Sequence, residues 1–117
     1  MLQLVVLPYC KRQLKPLLKK YRDLKDSVIA ALDTFDPEQH THLGHGVYKI
    51  RVTTQGLRRG KSGAFRIILL LVEYDRLLVP ITVYFKGDRQ TLTKQELNDH
   101  LQHILFELDQ QNSNYLS

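Results

Sequence analysis

The chain has 117 residues, of which 43% are hydrophobic, and it carries a formal net charge of +5. This length predicts one domain with one core, and the single cysteine, Cys10, excludes a disulfide framework or a thiolate metal cluster. The longest apolar run, residues 67–72, is too short to span a bilayer, and the first residues lack the basic region of a signal peptide. We therefore expect a soluble, cytoplasmic protein that does not associate with membranes.

The first third of the chain predicts a short strand followed by two helices. Residues 2–6 are rich in branched apolar side chains, which favours a strand, and Pro8 suits the first turn of a helix. Pro16 should kink that helix or restart it, and a second helix is predicted from about residue 23 to 35. Apolar residues recur at helical spacing through the first helix, with lysines on the opposite side: Leu14, Leu17, Leu18 and Tyr21.

The middle of the chain predicts a loop and then three strands. Residues 36–46 are mostly polar residues and helix breakers, which indicates a loop. Strands are predicted over residues 47–54, 64–74 and 77–86, and the second reads as apolar on both sides. Pro80 lies inside the third, which suggests a bulge or an edge position.

A capping box predicts where the last helix begins. Thr93 and Glu96 have the T-x-x-E spacing, and residues 111–117 read as a frayed tail after this helix. An apolar stripe follows the capping box: Leu97, Leu101, Ile104, Leu105 and Leu108. The predicted order is βααβββα, in a single domain over residues 1–110. We expect the α+β class, with an antiparallel-dominated sheet of about four strands, an N-terminal helical hairpin and all helices on one face.

Positive charge is concentrated in two segments. No carboxylate occurs between Glu38 and Glu73, although six lysines and arginines lie there. A second basic run, residues 11–25, contains Lys19 and Lys20 and only one acidic residue, Asp23. Two segments of one sign in a short chain indicate a surface that contacts a phosphate backbone. The glycine-rich loop over residues 55–63 is predicted to clamp phosphates with Arg58, Arg59 and Lys61.

Strand alternation predicts which cations converge. Lys49 and Arg51 fall on the same face of one strand, about 7 Å apart. Arg66 lies on the next strand, and Lys86 ends the third, where Tyr84 would share its face. If these strands are neighbours, the cations meet on the sheet face that carries no helix. The alternatives are a solvated charged face, or an Arg66 neutralised by a carboxylate brought close by folding: Glu73, Asp75 or Glu107.

Histidines offer a competing chemistry. The spacing of His40, His42 and His45 would suit a zinc ion, but they fall in a predicted loop with no cysteine to help. His100 and His103 lie on the last helix, where a surface or partner-facing role is expected. We therefore predict neither a metal nor a cofactor, and Cys10 reads as a small core residue.

Three stretches of the sequence together carry a family resemblance: LGHGVYKIRV, RGKSGAFRIILL and ITVYFKGDRQTLTKQEL. With LKPLLKKYRDLKDSV before them, they resemble the RelE/HigB toxins of bacterial type II toxin–antitoxin modules over about residues 3–108. The resemblance implies a fold similar to small microbial ribonucleases, cleavage of mRNA, commonly on the ribosome, and neutralisation by a cognate antitoxin.

The motif positions imply roles for individual residues. Lys49 and Arg51 match the family's paired cations, Arg66 matches its arginine on the following strand, and Lys86 stands where relatives place a cation after the last strand. Leu92 stands in the region where some relatives use a tyrosine. A further departure is Ala64, which replaces the usual second glycine of K-S-G-G.

This residue set suits cleavage by an RNA 2′-hydroxyl. Such a reaction needs a base, a stabilised pentavalent phosphate and a protonated leaving oxygen. The hypothesis is Lys49 as base, because like charges nearby favour its neutral form, Arg51 and Arg66 as phosphate stabilisers, and Lys86 as stabiliser or proton donor. The alternatives are a catalytically degenerate binding module for RNA, DNA or antitoxin, and a toxin that acts on DNA gyrase.

The charge also predicts a protein partner. A cationic face of this kind would suit an acidic, partly disordered antitoxin that folds on binding, with an apolar patch on the helical hairpin as its docking site. Operator DNA is expected to be contacted only through the toxin–antitoxin complex.

Overall fold

The structure, a computed structural model, describes residues 2–52, 65–86 and 92–116, with side chains as far as residue 111. It is an α+β fold in which three helices pack on a mixed sheet of five strands in the order β1-β5-β4-β3-β2. Among the described strands, β1 and β5 pair in parallel and the other three pairs are antiparallel, so the expected antiparallel-dominated sheet is confirmed. The elements are β1 (Gln3–Leu4), α1 (Pro8–Lys20), α2 (Leu24–Asp33), β2 (Thr41–Gly44), β3 (Val47–Val52), β4 (Phe65–Val72), β5 (Leu77–Phe85) and α3 (Lys94–Leu116).

The helical hairpin covers one face of the sheet. Tyr48, Ile50 and Val52 alternate along β3 and are buried in the same core cluster as Leu24 and Val28 of α2, as the period-two pattern predicts. Helix α1 adds the partly buried residues of its apolar side to this cluster: Leu14, Leu17 and Leu18. It continues through Pro16, so of the two expected effects of this proline the restart is wrong, and the kink stays a prediction.

Helix α3 packs on the opposite face, so two expectations are wrong: the helices do not all lie on one side, and the face with Lys49, Arg51 and Arg66 is not free of helices. Its buried Ile104 lies in a second core cluster with Ile68 and Leu70 of β4 and with Val79 and Ile81 of β5. The physical reason is that β4 is apolar on both sides, and the second apolar row also has to be removed from water. The predicted capping box forms: the backbone N–H of Thr93 donates to Glu96 Oε1 at 2.9 Å, and the N–H of Glu96 donates to Thr93 Oγ1 at 3.1 Å.

The segment predicted as a loop before β3 contains an edge strand. Strand β2 pairs antiparallel with β3, with Thr41 opposite Lys49 and His42 opposite Tyr48. Its side chains are largely exposed, so the sequence lacks the alternation that reveals a half-buried strand. This strand alone raises the strand count from the predicted four to five, since β1, at the other edge, was predicted.

A bulge in β5 changes which face of the sheet its following side chains lie on. The pairing of β4 with β5 shifts between Ile68, which faces Thr82, and Leu69, which faces Pro80. This confirms the predicted bulge near Pro80, whereas the alternative of an edge position is wrong because β5 lies between β1 and β4. The shift puts Thr82 and Tyr84 on the face of the sheet that carries α3.

Contacts from α3 hold the start of α1. Leu7 provides no side-chain cap, and Glu107 Oε1 instead accepts a hydrogen bond from the Tyr9 backbone N–H at 3.0 Å. The Tyr9 hydroxyl lies 2.6 Å from His100 Nδ1, and its ring stacks on His103 at 4.5 Å between centroids. Both histidines of α3 therefore join two helices of this chain.

Helix α3 includes residues 111–116, where the sequence predicts a frayed tail, and that prediction stays open.

In the part of the chain that the structure describes, no helix combines the length and the apolar character that crossing a membrane requires.

Candidate functional site

Two arginines and a tyrosine form a row across three adjacent strands. Arg51 of β3 lies directly opposite Arg66 of β4, which in turn lies opposite Tyr84 of β5. Residues opposed in antiparallel strands have Cα atoms about 4.5–5.5 Å apart and side chains on one face. Arg51 is exposed, Arg66 is half-buried and Tyr84 is buried, so the row runs from solvent into the sheet.

Lys49 and Arg51 border a cleft at the edge of the sheet. Lys49 lies two residues before Arg51 on β3, opposite Thr41 on one side and Ile68 on the other. A cavity of about 310 Å³ opens here. We call it the cation cleft, and its lining includes Gln39, His40, Thr41, Lys49, Arg51 and Arg66. Three of the four predicted catalytic residues therefore lie together.

The carboxylates considered as partners for Arg66 are engaged or distant. Glu107 bonds the start of α1 and lies 4.0 Å from Arg12. Glu73 and Asp75 follow the far end of β4, about 20 Å along the strand from Arg66. The Arg66 guanidinium donates to the carbonyl oxygen of Phe65 at 3.4 Å, and no described carboxylate forms an ion pair with it. Like charges directly opposed across strands destabilise a sheet, so an anion bound at Arg51 and Arg66 would offset this cost.

The remaining described candidates, Lys86 as a catalytic residue and Lys19 and Lys20 as RNA-binding residues, do not line the cation cleft. Lys86 is half-buried in the turn that follows β5 and is not part of the lining of the cation cleft. Lys19 and Lys20 end α1, on the face of the sheet opposite α3, where Lys20 Nζ lies 5.5 Å from the centre of the Tyr21 ring. Arg58, Arg59 and Lys61, with the proposed phosphate clamp, fall outside the described residues. Their roles stay predictions.

The histidines before β3 do not converge. The His40 ring stacks on Phe35 at 5.4 Å, whereas the His42 ring stacks on Tyr48 at 4.6 Å and accepts a hydrogen bond from the Gly46 N–H at 3.3 Å. Among the described residues, no three histidine, cysteine or acidic side chains are grouped as a metal site would require. His40 instead lies in the cation cleft. The sequence did not predict this placement, because it depends on the pairing of β2 with β3.

The position of His40 has a local cause. Asp36 caps a short 3₁₀ turn over Pro37–Gln39, and its Oδ1 accepts a hydrogen bond from the Glu38 N–H at 3.0 Å. The chain then extends at His40 and enters β2 at Thr41. The stacking contact with Phe35, a residue packed on the core, further limits the movement of the imidazole.

No protein-family model matches this chain, and no curated protein matches its sequence. The resemblance to RelE/HigB toxins therefore depends on the motif residues themselves.

Proposed function

We propose that this protein is an endoribonuclease toxin of the RelE/HigB type, which cleaves mRNA on the ribosome without a metal ion. The observation that carries the proposal is the direct opposition of Arg51 and Arg66, in a cleft that also contains Lys49 and His40. Two guanidinium groups can grip the non-bridging oxygens of a phosphodiester. Lys49 and His40 offer proton transfer beside it.

The proposed reaction uses the RNA as its own nucleophile. Lys49 takes the proton from the 2′-hydroxyl, and the oxygen attacks the adjacent phosphorus. Arg51 and Arg66 stabilise the negative charge that builds up on the phosphate. The bond to the 5′-oxygen then breaks, and this oxygen takes a proton from His40, which lines the same cleft, so that a 2′,3′-cyclic phosphate and a 5′-hydroxyl remain. Lys86, which does not line the cleft, is the alternative donor.

Induced expression in a sensitive bacterial host tests this function. The wild type should arrest growth and create new mRNA ends with a 5′-hydroxyl. Arg66→Gln should lose both effects, since removal of one transition-state donor costs about 100-fold or more in rate. Arg76→Gln is the matched control, because Arg76 is an exposed arginine in the turn at the far end of β4 and should leave the toxin active. Circular dichroism of each purified protein checks folding.

The alternatives predict different results from the same cultures. Normal growth with folded wild-type protein and intact mRNA would favour the degenerate binding module, for which Leu92 in place of a family tyrosine is the supporting feature. Arrest with broken DNA and intact mRNA would favour a toxin that acts on gyrase. Arrest with cleaved mRNA in both the wild type and Arg66→Gln would leave a nuclease whose chemistry lies outside the arginine pair.

The proposed partner is an acidic antitoxin that docks on α1. An open apolar groove of about 380 Å³ lies between Leu14 and Leu18 and is bordered by Lys11, Lys15 and Lys19. Its lysines suit a helix with apolar residues on one side and carboxylates at the margins. Leu14→Glu should prevent copurification with the acidic product of a neighbouring gene, whereas Ile29→Glu, at an exposed position of α2, should not. Equal capture by both variants would contradict this docking site.

A further inference from the structure

A second cavity lies beside the cation cleft. It has a volume of about 200 Å³ and opens between the sheet and the first turn of α3. Lys49 lines both cavities, so the two are adjacent. We call the second cavity the α3 pocket, and it is lined in part by Leu43, Lys49, Ile68, Tyr84, Leu92 and Leu97.

The sheet register connects this pocket to the arginine pair. Tyr84 lies opposite Arg66, and Ile68 lies opposite Lys49. Ile68 and Arg66 are two residues apart on β4 and face the same side, which separates them by about 7 Å. The floor of the pocket is therefore continuous with the row of cations, at a spacing comparable to one nucleotide.

The lining is mostly apolar and includes one aromatic ring. Leu43, Leu92 and Leu97 approach from β2, from the residue just before the capping box, and from α3, while Tyr84 contributes from the sheet. The volume equals about six or seven water molecules and lies below the 300–1,000 Å³ of sites that hold drug-sized ligands. A single planar heterocycle matches this size and this lining.

From this arrangement we infer that the α3 pocket takes one unpaired nucleobase of a single RNA strand, next to the phosphate held by Arg51 and Arg66. The flat apolar faces of the base pack against the leucines and Tyr84, and the negatively charged phosphate lies in the cation cleft. A base in a duplex can enter the pocket only if free energy is spent on unpairing and unstacking it, so the pocket favours single strands over duplexes. The inference extends the proposed ribonuclease function to the part of the substrate beside the cut.

Binding of a non-cleavable RNA separates this inference from the cleavage chemistry. We would titrate the protein with a fluorescent 2′-O-methyl hexanucleotide and with versions that lack the base at one position each. Loss of one particular base should weaken binding by about tenfold or more, because stacking of a base on protein contributes about 1–3 kcal/mol. Loss of the bases at the other positions should have smaller effects.

Variants assign that effect to the pocket. Leu43→Trp fills the space and should make the oligomers with and without the critical base bind alike. Ile29→Trp is the matched control, since Leu43 and Ile29 are 40% and 42% exposed and Ile29 lies on α2. If Leu43→Trp fails to fold, Leu92→Trp, which enters from the residue before the capping box, takes its place.

The outcomes distinguish the pocket from the nuclease. No binding, equal loss at every position, or an unchanged position effect in the folded filling variant would overturn the inference. In that case, cleavage of unmodified RNA would leave the nuclease proposal intact. A base-dependent site together with uncut RNA, on ribosomes as well as free, would instead keep the pocket and overturn the nuclease.

Discussion

Arg51 and Arg66 lie directly opposite each other on β3 and β4. Like charges in opposed positions destabilise an antiparallel pair, by an amount comparable to the 0.2–1 kcal/mol that favourable cross-strand pairs contribute. Under the proposed function, this opposition of like charges would provide a site for an anion at a cost to the stability of the sheet.

A double-mutant cycle of Arg51→Gln and Arg66→Gln should measure this repulsion. We expect an unfavourable coupling of about 0.2–1 kcal/mol in the free energy of unfolding, measured with urea in low salt. The coupling should shrink at 0.5 M NaCl, because salt screens charges that are partly exposed. A favourable coupling between the two arginines in low salt would contradict the prediction.

Removal of the His40 imidazole should slow RNA cleavage, and free imidazole in solution should restore part of the rate. We expect His40→Ala to lose about 100-fold, as general acid–base groups contribute 10²–10⁴-fold. The enlarged cleft gives the added imidazole room to enter. His45→Asn is the control, because His45 is exposed with a φ of 55°, which asparagine tolerates. Full activity of His40→Ala would show that His40 takes no part in proton transfer.

Two glycines of the β2–β3 turn should differ in their response to alanine. Gly44 and Gly46 both have positive φ, of 99° and 78°, but a Cβ on Gly46 would lie 2.8 Å from the Leu71 carbonyl oxygen, whereas one on Gly44 meets nothing within 4 Å. Gly44→Ala should cost about 1 kcal/mol from backbone strain alone, and Gly46→Ala about 1–3 kcal/mol more. Urea unfolding of the two variants measures the difference, and equal losses would contradict the close approach.

Burial of Cys10 should make the fold less stable in alkali. Desolvation, with a smaller contribution from the Glu107 carboxylate, raises the pKa of this thiol from 9.0 to about 11. Between these two values the unfolded chain releases the proton while the folded chain keeps it, so the free energy of unfolding falls as pH rises from 9 to 11. The full loss is about 2–3 kcal/mol, since one pKa unit equals about 1.4 kcal/mol.

Comparison with Cys10→Ala isolates this effect from the titration of other groups. Urea unfolding at pH 8 and at pH 10.5 should show a larger loss for the wild type than for the variant. In the wild type, iodoacetamide should label the thiol slowly until the chain unfolds, because the thiolate is the reactive form. Equal losses in the two proteins would mean that the thiol ionises in the folded chain as readily as in the unfolded one.

Most local elements of this protein could be predicted from its amino-acid sequence. The period-two pattern of β3 assigned Ile50 to the core and Arg51 to the opposite face, and the spacing of Thr93 and Glu96 predicted the capping box. These features depend on neighbours within a few residues, and local backbone geometry fixes which side each residue faces. Pro80 likewise indicated a bulge, because it cannot donate to the ladder of the sheet.

The way in which these elements combine into a site depends on long-range packing. Helix α3 crosses to the second face of the sheet, β2 joins the edge through backbone hydrogen bonds, and His40 enters the cleft of Lys49 and Arg66 as a result. Strand β4 has apolar side chains on both faces, so an element must pack on each face of the sheet. The sequence does not specify which helix packs on the second face. Pairings between residues far apart in the chain leave no local periodicity, so the contents of the cleft and the pocket follow from packing alone.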